Sequence, residues 1–253
     1  MLKKGIYILP SLFTLGNLCA GYISLIASLH NDFIRAAWAI FIASIFDMLD
    51  GRIARMTKTT SRFGVEFDSL ADIVSFGLAP AVMIYQMVLF KYSKWGVILS
   101  FIFVMAGALR LARFNTKAGV DIPQSFFYGL PIPVAGNILA AFVLVYSVCE
   151  QEVPKKAFPF IVKCMPFFYK MMPMLVILLA YLMVSNIRYS SFKSLKLERR
   201  KPMKYLILIS IAIVMIWRYP ENMIFIILAL YLLSGALDLL RRLRRLKQNK
   251  KIV

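Results

Sequence analysis

The sequence predicts an all-α integral membrane protein, a bundle of about eight transmembrane helices with both termini cytoplasmic. Hydrophobic residues make up 60% of the 253 residues and charged residues only 17%, whereas soluble domains contain nearer ~45–50% and ~25%. Apolar runs recur at roughly the 20-residue length that crosses a bilayer. The charge is also uneven, with 31 Lys and Arg against 12 Asp and Glu. These observations exclude an ordinary soluble domain.

The apolar runs, taken in chain order, give the predicted helices. They cover residues 12–29, 33–51, 66–90, 95–113, 127–149, 168–186, 204–218 and 222–240. The domain organisation that follows is a six-helix membrane core at 1–186, a basic cytoplasmic loop at 187–203, two additional helices at 204–240 and a basic cytoplasmic tail at 241–253. Gly129, Pro131 and Pro133 are expected to break or kink the start of the fifth helix. The stretch 158–168, which Lys163 and Pro166 interrupt, is expected at the membrane interface.

Lysine and arginine are concentrated in alternate loops. With the N-terminus inside, most of the 31 basic residues fall on the cytoplasmic side, as the positive-inside rule requires. This topology accounts for most of the net charge of +19 without a nucleic acid, whose binding domain would be polar and compact. We therefore expect no nucleic-acid partner, and we expect the basic tail to lie against anionic membrane lipids.

Acidic residues are concentrated in two of the apolar segments. Five of the twelve lie within 26 residues: Asp47, Asp50, Glu66, Asp68 and Asp72. An ionised carboxylate in an apolar span is costly unless it is paired or bound to a metal. These residues are therefore the first candidates for a functional site.

The spacing of the acids places them on two helix faces, at about 100° per residue. One face carries Asp47, Asp50, Gly51, Ala54 and Arg55, and the other carries Gly64, Asp68 and Asp72. A polar turn separates the two helices, which should therefore run antiparallel and bring four carboxylates together. Four such charges need cations between them. Oxygen ligands without His or Cys favour Mg²⁺, Mn²⁺ or Ca²⁺ over zinc.

Small residues lie on the same faces as the acids. Ala54 and Gly64, together with Gly51, would let the two helices approach closely or let a ligand phosphate reach the metals. Arg55 would balance the acidic charge or grip a phosphate. The simpler interpretation, salt bridges at helix ends with small packing residues, explains neither the four same-face acids nor the small residues between them.

The eight residues on the two faces, at this spacing, resemble the signature of the CDP-alcohol phosphotransferases. They are Asp47, Asp50, Gly51, Ala54, Arg55, Gly64, Asp68 and Asp72. Four further segments resemble the integral-membrane CDP-diacylglycerol–serine O-phosphatidyltransferases within that family: LPSLFTLGN, FGVEFDSLADIVSFGLAP, ALRLARFN and GLPIP. The resemblance extends through about the first three quarters of the chain. It implies a multi-pass protein of the cell inner (cytoplasmic) membrane with its active site facing the cytoplasm.

The resemblance implies transfer of the phosphatidyl group from CDP-diacylglycerol to the hydroxyl of L-serine, with release of CMP. The implied ligands of one or two divalent ions, Mg²⁺ or Mn²⁺, are Asp47, Asp50, Asp68 and Asp72. Asp72 is also the implied general base. The implied CDP-diacylglycerol contacts are Ser11, Thr14, Gly51, Arg55 and Ser61. Ser11 is a departure, because relatives often carry asparagine there.

A serine acceptor also needs a partner for its carboxylate. Arg110 and Arg113 lie at the inner end of the fourth predicted helix, near the depth of the acids, and Asn115 follows. We expect these three residues to form the acceptor-side anion site. The alternative is ordinary positive-inside anchoring of that helix.

Two alternative functions remain open from the sequence. A sister transferase would use glycerol phosphate or inositol phosphate, because the signature reports CDP chemistry and not the acceptor. A cation transporter would use the acids as a transport site, although its carboxylates should be spread across spans at mid-membrane. A homodimer is one possible assembly of the bundle.

Overall fold

A computed structural model of the chain describes residues 8–57, 61–117, 126–150, 159–190 and 218–249. The helices in these residues are α1 (Ile8–Leu29), α2 (Phe33–Thr57), α3 (Arg62–Asp72), α4 (Ala79–Met87), α5 (Lys94–Lys117), α6 (Ile132–Glu150), α7 (Pro159–Val184) and α8 (Pro220–Asn249). A π-helical segment, Ile73–Leu78, joins α3 to α4, and a short 3-10 turn, Leu89–Tyr92, precedes α5.

The predicted class, an apolar helical bundle, is confirmed. Three stretches in the described ranges are long and apolar enough to cross a membrane: Leu12–Leu29, Phe63–Met87 and Lys94–Thr116. Shorter apolar helices occupy Ile132–Ser147, Met172–Val184 and Pro220–Gly235. The predicted helix at 204–218 lies outside the described residues except for its last position, as does most of the predicted loop at 187–203. The count of eight spans and the orientation of the termini stay predictions.

The chain is not helical where the fifth helix was expected to begin. Residues Phe126–Tyr128 form strand β1, which pairs antiparallel with β2, Arg188–Ser190, so that Phe127 lies opposite Tyr189. Gly129 follows with φ of 78°, a left-handed conformation that favours glycine. The helix then starts at Ile132, which confirms the break expected at the Gly129 and Pro131 positions. The strand pair is an exception to the all-α prediction.

Two other predicted boundaries are wrong. The sixth helix was predicted at 168–186, but the corresponding helix, α7, begins at Pro159. It continues through two prolines, Pro166 and Pro173. A proline removes one backbone hydrogen bond, which neighbouring groups replace in a helical membrane bundle. The last helix does not end at 240, since α8 continues to Asn249 through the basic tail. Arginine, lysine and leucine are good helix formers, so charge alone does not end this helix.

Helix α6 lies at the centre of the bundle. The run 138–145 is buried on every face, so α6 is enclosed by other helices. Its packing partners include α2, α7, α8 and the π segment. Asn137 Nδ2 donates a hydrogen bond of 2.8 Å to Ser44 Oγ on α2. A Cβ at Gly136 would lie 2.8 Å from the Phe76 carbonyl oxygen, so this glycine permits the contact between α6 and the π segment.

Helices α1, α2 and α3 form the part of the bundle that carries the acids. Helix α1 packs against α2 and also contacts α3, the π segment and α4. At its closest point, α1 presents Gly21 to Ser75 of the π segment, where an added Cβ would lie 2.7 Å from the Ser75 Cα. Residues of α1 are therefore held beside the carboxylates of α2 and α3.

Candidate active site

Three carboxylates converge where α2 and α3 meet. Asp47, Asp68 and Asp72 each offer an oxygen, and these atoms all lie within 4.8 Å of one another. Asp68 and Asp72 are one helical turn apart on α3, and Asp47 faces them from α2. Asp72 is buried, while Asp47 and Asp68 are half-buried. The convergence expected from the sequence is therefore observed for three of the four acids.

The fourth acid, Asp50, is directed toward α1. The Thr14 hydroxyl donates a hydrogen bond to Asp50 Oδ2, and both residues are buried. The charge of Asp50 still acts on Asp47 and Asp68, so it belongs to the same electrostatic cluster. Its role as a metal ligand stays a prediction.

Asn17 lies at the acidic cluster but is not part of the eight-residue motif. Its Nδ2 donates a hydrogen bond of 3.1 Å to Asp72 Oδ1. Ser75 Oγ donates one of 2.9 Å to the Asn17 carbonyl oxygen, and Asn17 is fully buried. A signal exists in the sequence, because Thr14, Asn17, Ser24 and Ser28 follow one another at steps of three, seven and four residues, which place these polar residues on one face of a mainly apolar helix.

The three residues expected to bind the acceptor have different surroundings. Arg110 is half-buried, its buried Nε has no hydrogen-bond partner among the described residues, and its charge interacts with that of Asp72. Arg113 instead binds the end of α7, because its Nη1 donates to the Val184 carbonyl oxygen at 3.0 Å and its Nη2 to that of Ser185 at 3.3 Å. Asn115 Nδ2 donates to Ser69 Oγ on α3 at 3.0 Å. Of the three, Arg110 is the one whose charge acts on the acidic cluster.

The residues expected to contact CDP-diacylglycerol surround the acids where they are described. Thr14 contacts Asp50 as above, and Gly51 is exposed on α2. Ser61 is the N-cap of α3, with its Oγ accepting a hydrogen bond of 2.9 Å from the Gly64 N–H. The side chains of Ser11, Ala54 and Arg55 lie outside the described part of the structure.

Gly64 does not mediate the close helix contact expected from the sequence. A Cβ placed there would lie 3.1 Å from Ser61 Oγ, and no neighbouring helix of the described ranges comes within 4 Å. As far as the described residues show, the space beside Gly64 is therefore open. Of the two roles expected for this small residue, access for a ligand phosphate is the one that agrees with the open space.

The donor set of the cluster fits a divalent cation. Asp68 Oδ1 is buried without a hydrogen-bond partner, and a buried carboxylate oxygen in that state is costly unless a cation or donor meets it. All three convergent groups supply hard oxygen atoms. Such a set suits Mg²⁺, Mn²⁺ or Ca²⁺. The cluster can therefore hold a metal of this class.

The comparisons with known proteins agree with this chemistry. The sequence model of the CDP-alcohol phosphatidyltransferase family matches residues 7–169, which include the whole acidic cluster. A CDP-diacylglycerol–serine O-phosphatidyltransferase of Helicobacter pylori (strain ATCC 700392 / 26695) is 37% identical over 91% of this chain and 90% of its own length.

Two more distant relatives have related names. The CDP-diacylglycerol–serine O-phosphatidyltransferase of Bacillus subtilis (strain 168) is 30% identical over 73% of this chain and 91% of its own. The archaetidylserine synthase of Methanothermobacter thermautotrophicus is 38% identical over 54% of this chain and 58% of its own. From the family match, the extent of these similarities and the converging carboxylates, we conclude that the chain belongs to the CDP-alcohol phosphatidyltransferase family.

Proposed function

We propose that this protein transfers the phosphatidyl group from CDP-diacylglycerol to the hydroxyl of L-serine, giving phosphatidylserine and CMP. The observation that carries the proposal is the convergence of Asp47, Asp68 and Asp72 within 4.8 Å at a membrane-helix pair. The choice of serine is supported by relatives named for serine transfer that align along most of the chain.

In the proposed reaction, the serine hydroxyl gives its proton to the Asp72 carboxylate as its oxygen attacks the phosphorus of the phosphatidyl group. The new O–P bond forms while the bond between that phosphorus and the CMP oxygen breaks, and CMP leaves with the bonding electron pair. A hydroxyl is a poor nucleophile at neutral pH, so a positioned base speeds the attack. Asn17 supports this role, because its hydrogen bond fixes one oxygen of Asp72.

One or two divalent ions, Mg²⁺ or Mn²⁺, would be held by Asp47, Asp50, Asp68 and Asp72. When bound, the metal neutralises the charge of the pyrophosphate and of the departing CMP. The CDP-diacylglycerol contacts in this proposal are Ser11, Thr14, Gly51, Arg55 and Ser61. The open space beside Gly64 supports the arrival of a phosphate on this side of the cluster.

For the acceptor, the proposal places the serine carboxylate at Arg110. This side chain is half-buried, its buried Nε has no hydrogen-bond partner among the described residues, and its charge interacts with that of Asp72. Arg113 and Asn115 support this site from the same helix through the contacts described above. Exchange of Arg110 for alanine is then expected to raise the KM for serine and to leave the KM for CDP-diacylglycerol unchanged. An equal rise in both KM values would argue for simple anchoring.

The proposed setting is the cell inner membrane, with eight spans, both termini cytoplasmic and the active site facing the cytoplasm. Residues 1–186 form the catalytic core, and 187–203, 204–240 and 241–253 form the loop, the two added helices and the tail. The basic residues of the tail support contact with anionic lipids on the cytoplasmic surface. A homodimer of this bundle is the proposed assembly.

The decisive experiment incubates the purified protein and Mg²⁺ or Mn²⁺ with CDP-diacylglycerol and, separately, L-serine, glycerol 3-phosphate and inositol phosphate, and follows CMP release. We expect release with serine and loss of release in Asp47→Asn, Asp50→Asn or Asp68→Asn. Release only with a phosphorylated alcohol would support the sister transferase instead. No release with any acceptor, together with cation flux in proteoliposomes, would support the transporter.

Initial-rate kinetics test the direct displacement. Sequential kinetics, in which both substrates bind before CMP leaves, are expected. A ping-pong pattern with a trapped lipid–protein adduct would contradict the step as written.

A further inference from the structure

In the part of the chain that the structure describes, three buried polar atoms in or beside the carboxylate cluster lack hydrogen-bond partners. They are Asn17 Oδ1 on α1, Asp68 Oδ1 on α3 and Arg110 Nε on α5. Two of these atoms are acceptors and one is a donor. Buried polar atoms in folded proteins are nearly always paired, so a group of unpaired ones at a site indicates a polar ligand. The proposed metal would pair with Asp68, and the proposed acceptor carboxylate would pair with Arg110. Neither accounts for Asn17.

The side chain of Asn17 is held in one orientation. The residue is fully buried, and its Nδ2 donates to Asp72 Oδ1 at 3.1 Å. Ser75 binds its carbonyl oxygen, and Gly21, one turn further along α1, lies tightly against the same serine. Because Nδ2 and Oδ1 belong to one amide group, the partnerless Oδ1 is fixed close to the carboxylate of Asp72.

The chemistry of an amide oxygen restricts what can bind there. It accepts hydrogen bonds and cannot donate them, so it can bind an ammonium group but cannot donate a hydrogen bond to a phosphate. In serine, the ammonium group is on the carbon next to the one that bears the hydroxyl. An acceptor whose hydroxyl meets Asp72 therefore brings its ammonium group close to that carboxylate, the group beside which Asn17 Oδ1 is held.

We propose that Asn17 determines acceptor specificity, with its Oδ1 accepting a hydrogen bond from the ammonium group of an amino-acid acceptor while its Nδ2 positions Asp72. This inference rests on the proposed function, because it assumes that the acceptor hydroxyl meets Asp72. Arg110 on α5 then binds the carboxylate of the same zwitterion. On this proposal the pair selects against phosphorylated alcohols, since those acceptors carry no ammonium group for Asn17.

The test compares L-serine with 3-hydroxypropionate, which keeps the hydroxyl and carboxylate and lacks the ammonium group. Binding of each to the full-length protein in detergent with CMP and Mn²⁺ is measured by calorimetry, and KM and kcat for serine are measured by CMP release. Asn17→Leu keeps a similar volume and removes both polar atoms. We expect it to weaken serine binding about tenfold or more, as for loss of a hydrogen bond to a charged group, and to leave 3-hydroxypropionate binding within about twofold.

Asn17→Asp separates the two roles of the amide. It keeps an acceptor oxygen and removes the donor to Asp72, so the preference for serine over 3-hydroxypropionate should persist while kcat falls. This variant also carries the test if Asn17→Leu does not fold. Ser24→Ala is the matched control, because Ser24 Oγ is another buried, partnerless atom on α1, two turns beyond Asn17. Ser24→Ala should leave the binding of both L-serine and 3-hydroxypropionate unchanged.

Four results would overturn the proposal. Equal weakening of both ligands in Asn17→Leu would show a purely structural role, and unchanged serine binding would show no contact with the ammonium group. A higher Mn²⁺ requirement with unchanged serine binding would place Oδ1 on the metal. Loss of the serine preference in Asn17→Asp would also contradict it. Failure of the proposed function is a separate result, because the unmodified protein would then release no CMP with serine.

Discussion

The Thr14 hydroxyl donates a hydrogen bond to the Asp50 carboxylate and so joins α1 to α2 beside the acidic cluster. Thr14 is 2% exposed and Asp50 is 7% exposed, so water has little access to this contact. Three residues further along α1, Asn17 makes the equivalent contact with Asp72. One face of α1 therefore holds one aspartate of α2, Asp50, and one aspartate of α3, Asp72, and this arrangement has measurable consequences.

Replacing Thr14 by valine should reduce both stability and activity. Valine has nearly the same shape but cannot donate, so the buried Asp50 carboxylate loses a partner at a cost of about 1–3 kcal/mol. We expect a lower midpoint of thermal unfolding in detergent and about a tenfold or larger fall in kcat/KM for CDP-diacylglycerol. Thr14→Ser keeps the hydroxyl and should retain most activity. Equal behaviour of the two variants would show that the hydrogen bond is unimportant.

Removing a carboxylate from the cluster should weaken metal binding more than it weakens folding. Asp68→Asn is expected to lower the affinity for Mn²⁺ about tenfold or more, because it removes a charged oxygen ligand. The affinity can be followed by electron paramagnetic resonance of the free ion. The matched control is Asp32→Asn, which changes a half-exposed aspartate away from the cluster that pairs with Arg35 at 3.1 Å. Asp32 directly precedes α2, and asparagine caps helix N-termini about as well as aspartate does, so this control should keep the helix start intact. Equal Mn²⁺ affinity in the two variants would contradict a metal site at Asp68.

A methyl group at Gly21 should disturb the site from a distance. Glycine to alanine inside a helix ordinarily stabilises by about 1 kcal/mol, but the new Cβ would lie 2.7 Å from the Ser75 backbone. We expect Gly21→Ala to lower the unfolding midpoint and kcat together. The control is Gly16→Ala, whose Cβ would meet the Phe46 ring at 3.0 Å, a side chain that can shift. A stabilised Gly21→Ala variant would rule out the tight contact.

Two arginines one turn apart on α5 should behave differently. Arg113 binds backbone carbonyl oxygens at the end of α7, so Arg113→Ala should mainly lower the unfolding midpoint. Arg110→Lys keeps the charge but loses the planar donor group, and it should mainly raise the KM for serine. Measuring both quantities for both variants separates the roles. A serine KM that rises equally in the two variants would place Arg113 in the acceptor site as well.

The sequence was sufficient to predict that the acids lie together. Asp47, Asp68 and Asp72 are at helical spacing in two apolar segments that follow each other along the chain, and their carboxylates converge as expected. The helix boundaries were less predictable. Hydrophobicity does not distinguish an apolar strand such as Phe126–Tyr128 from the start of a helix, and it does not show that α8 continues past residue 240.

The helical class, the apolar spans and the convergence of the carboxylates could be predicted from the sequence, because they follow from composition and from local spacing along one or two helices. The tertiary structure decided which residues meet the carboxylates. Asn17 contacts Asp72 across 55 positions, and Arg113 contacts Val184 across 71. Such contacts depend on how helices pack, which local periodicity does not encode. For that reason only the tertiary structure shows that Asn17 contacts Asp72 and that Arg110 and Arg113 have different partners.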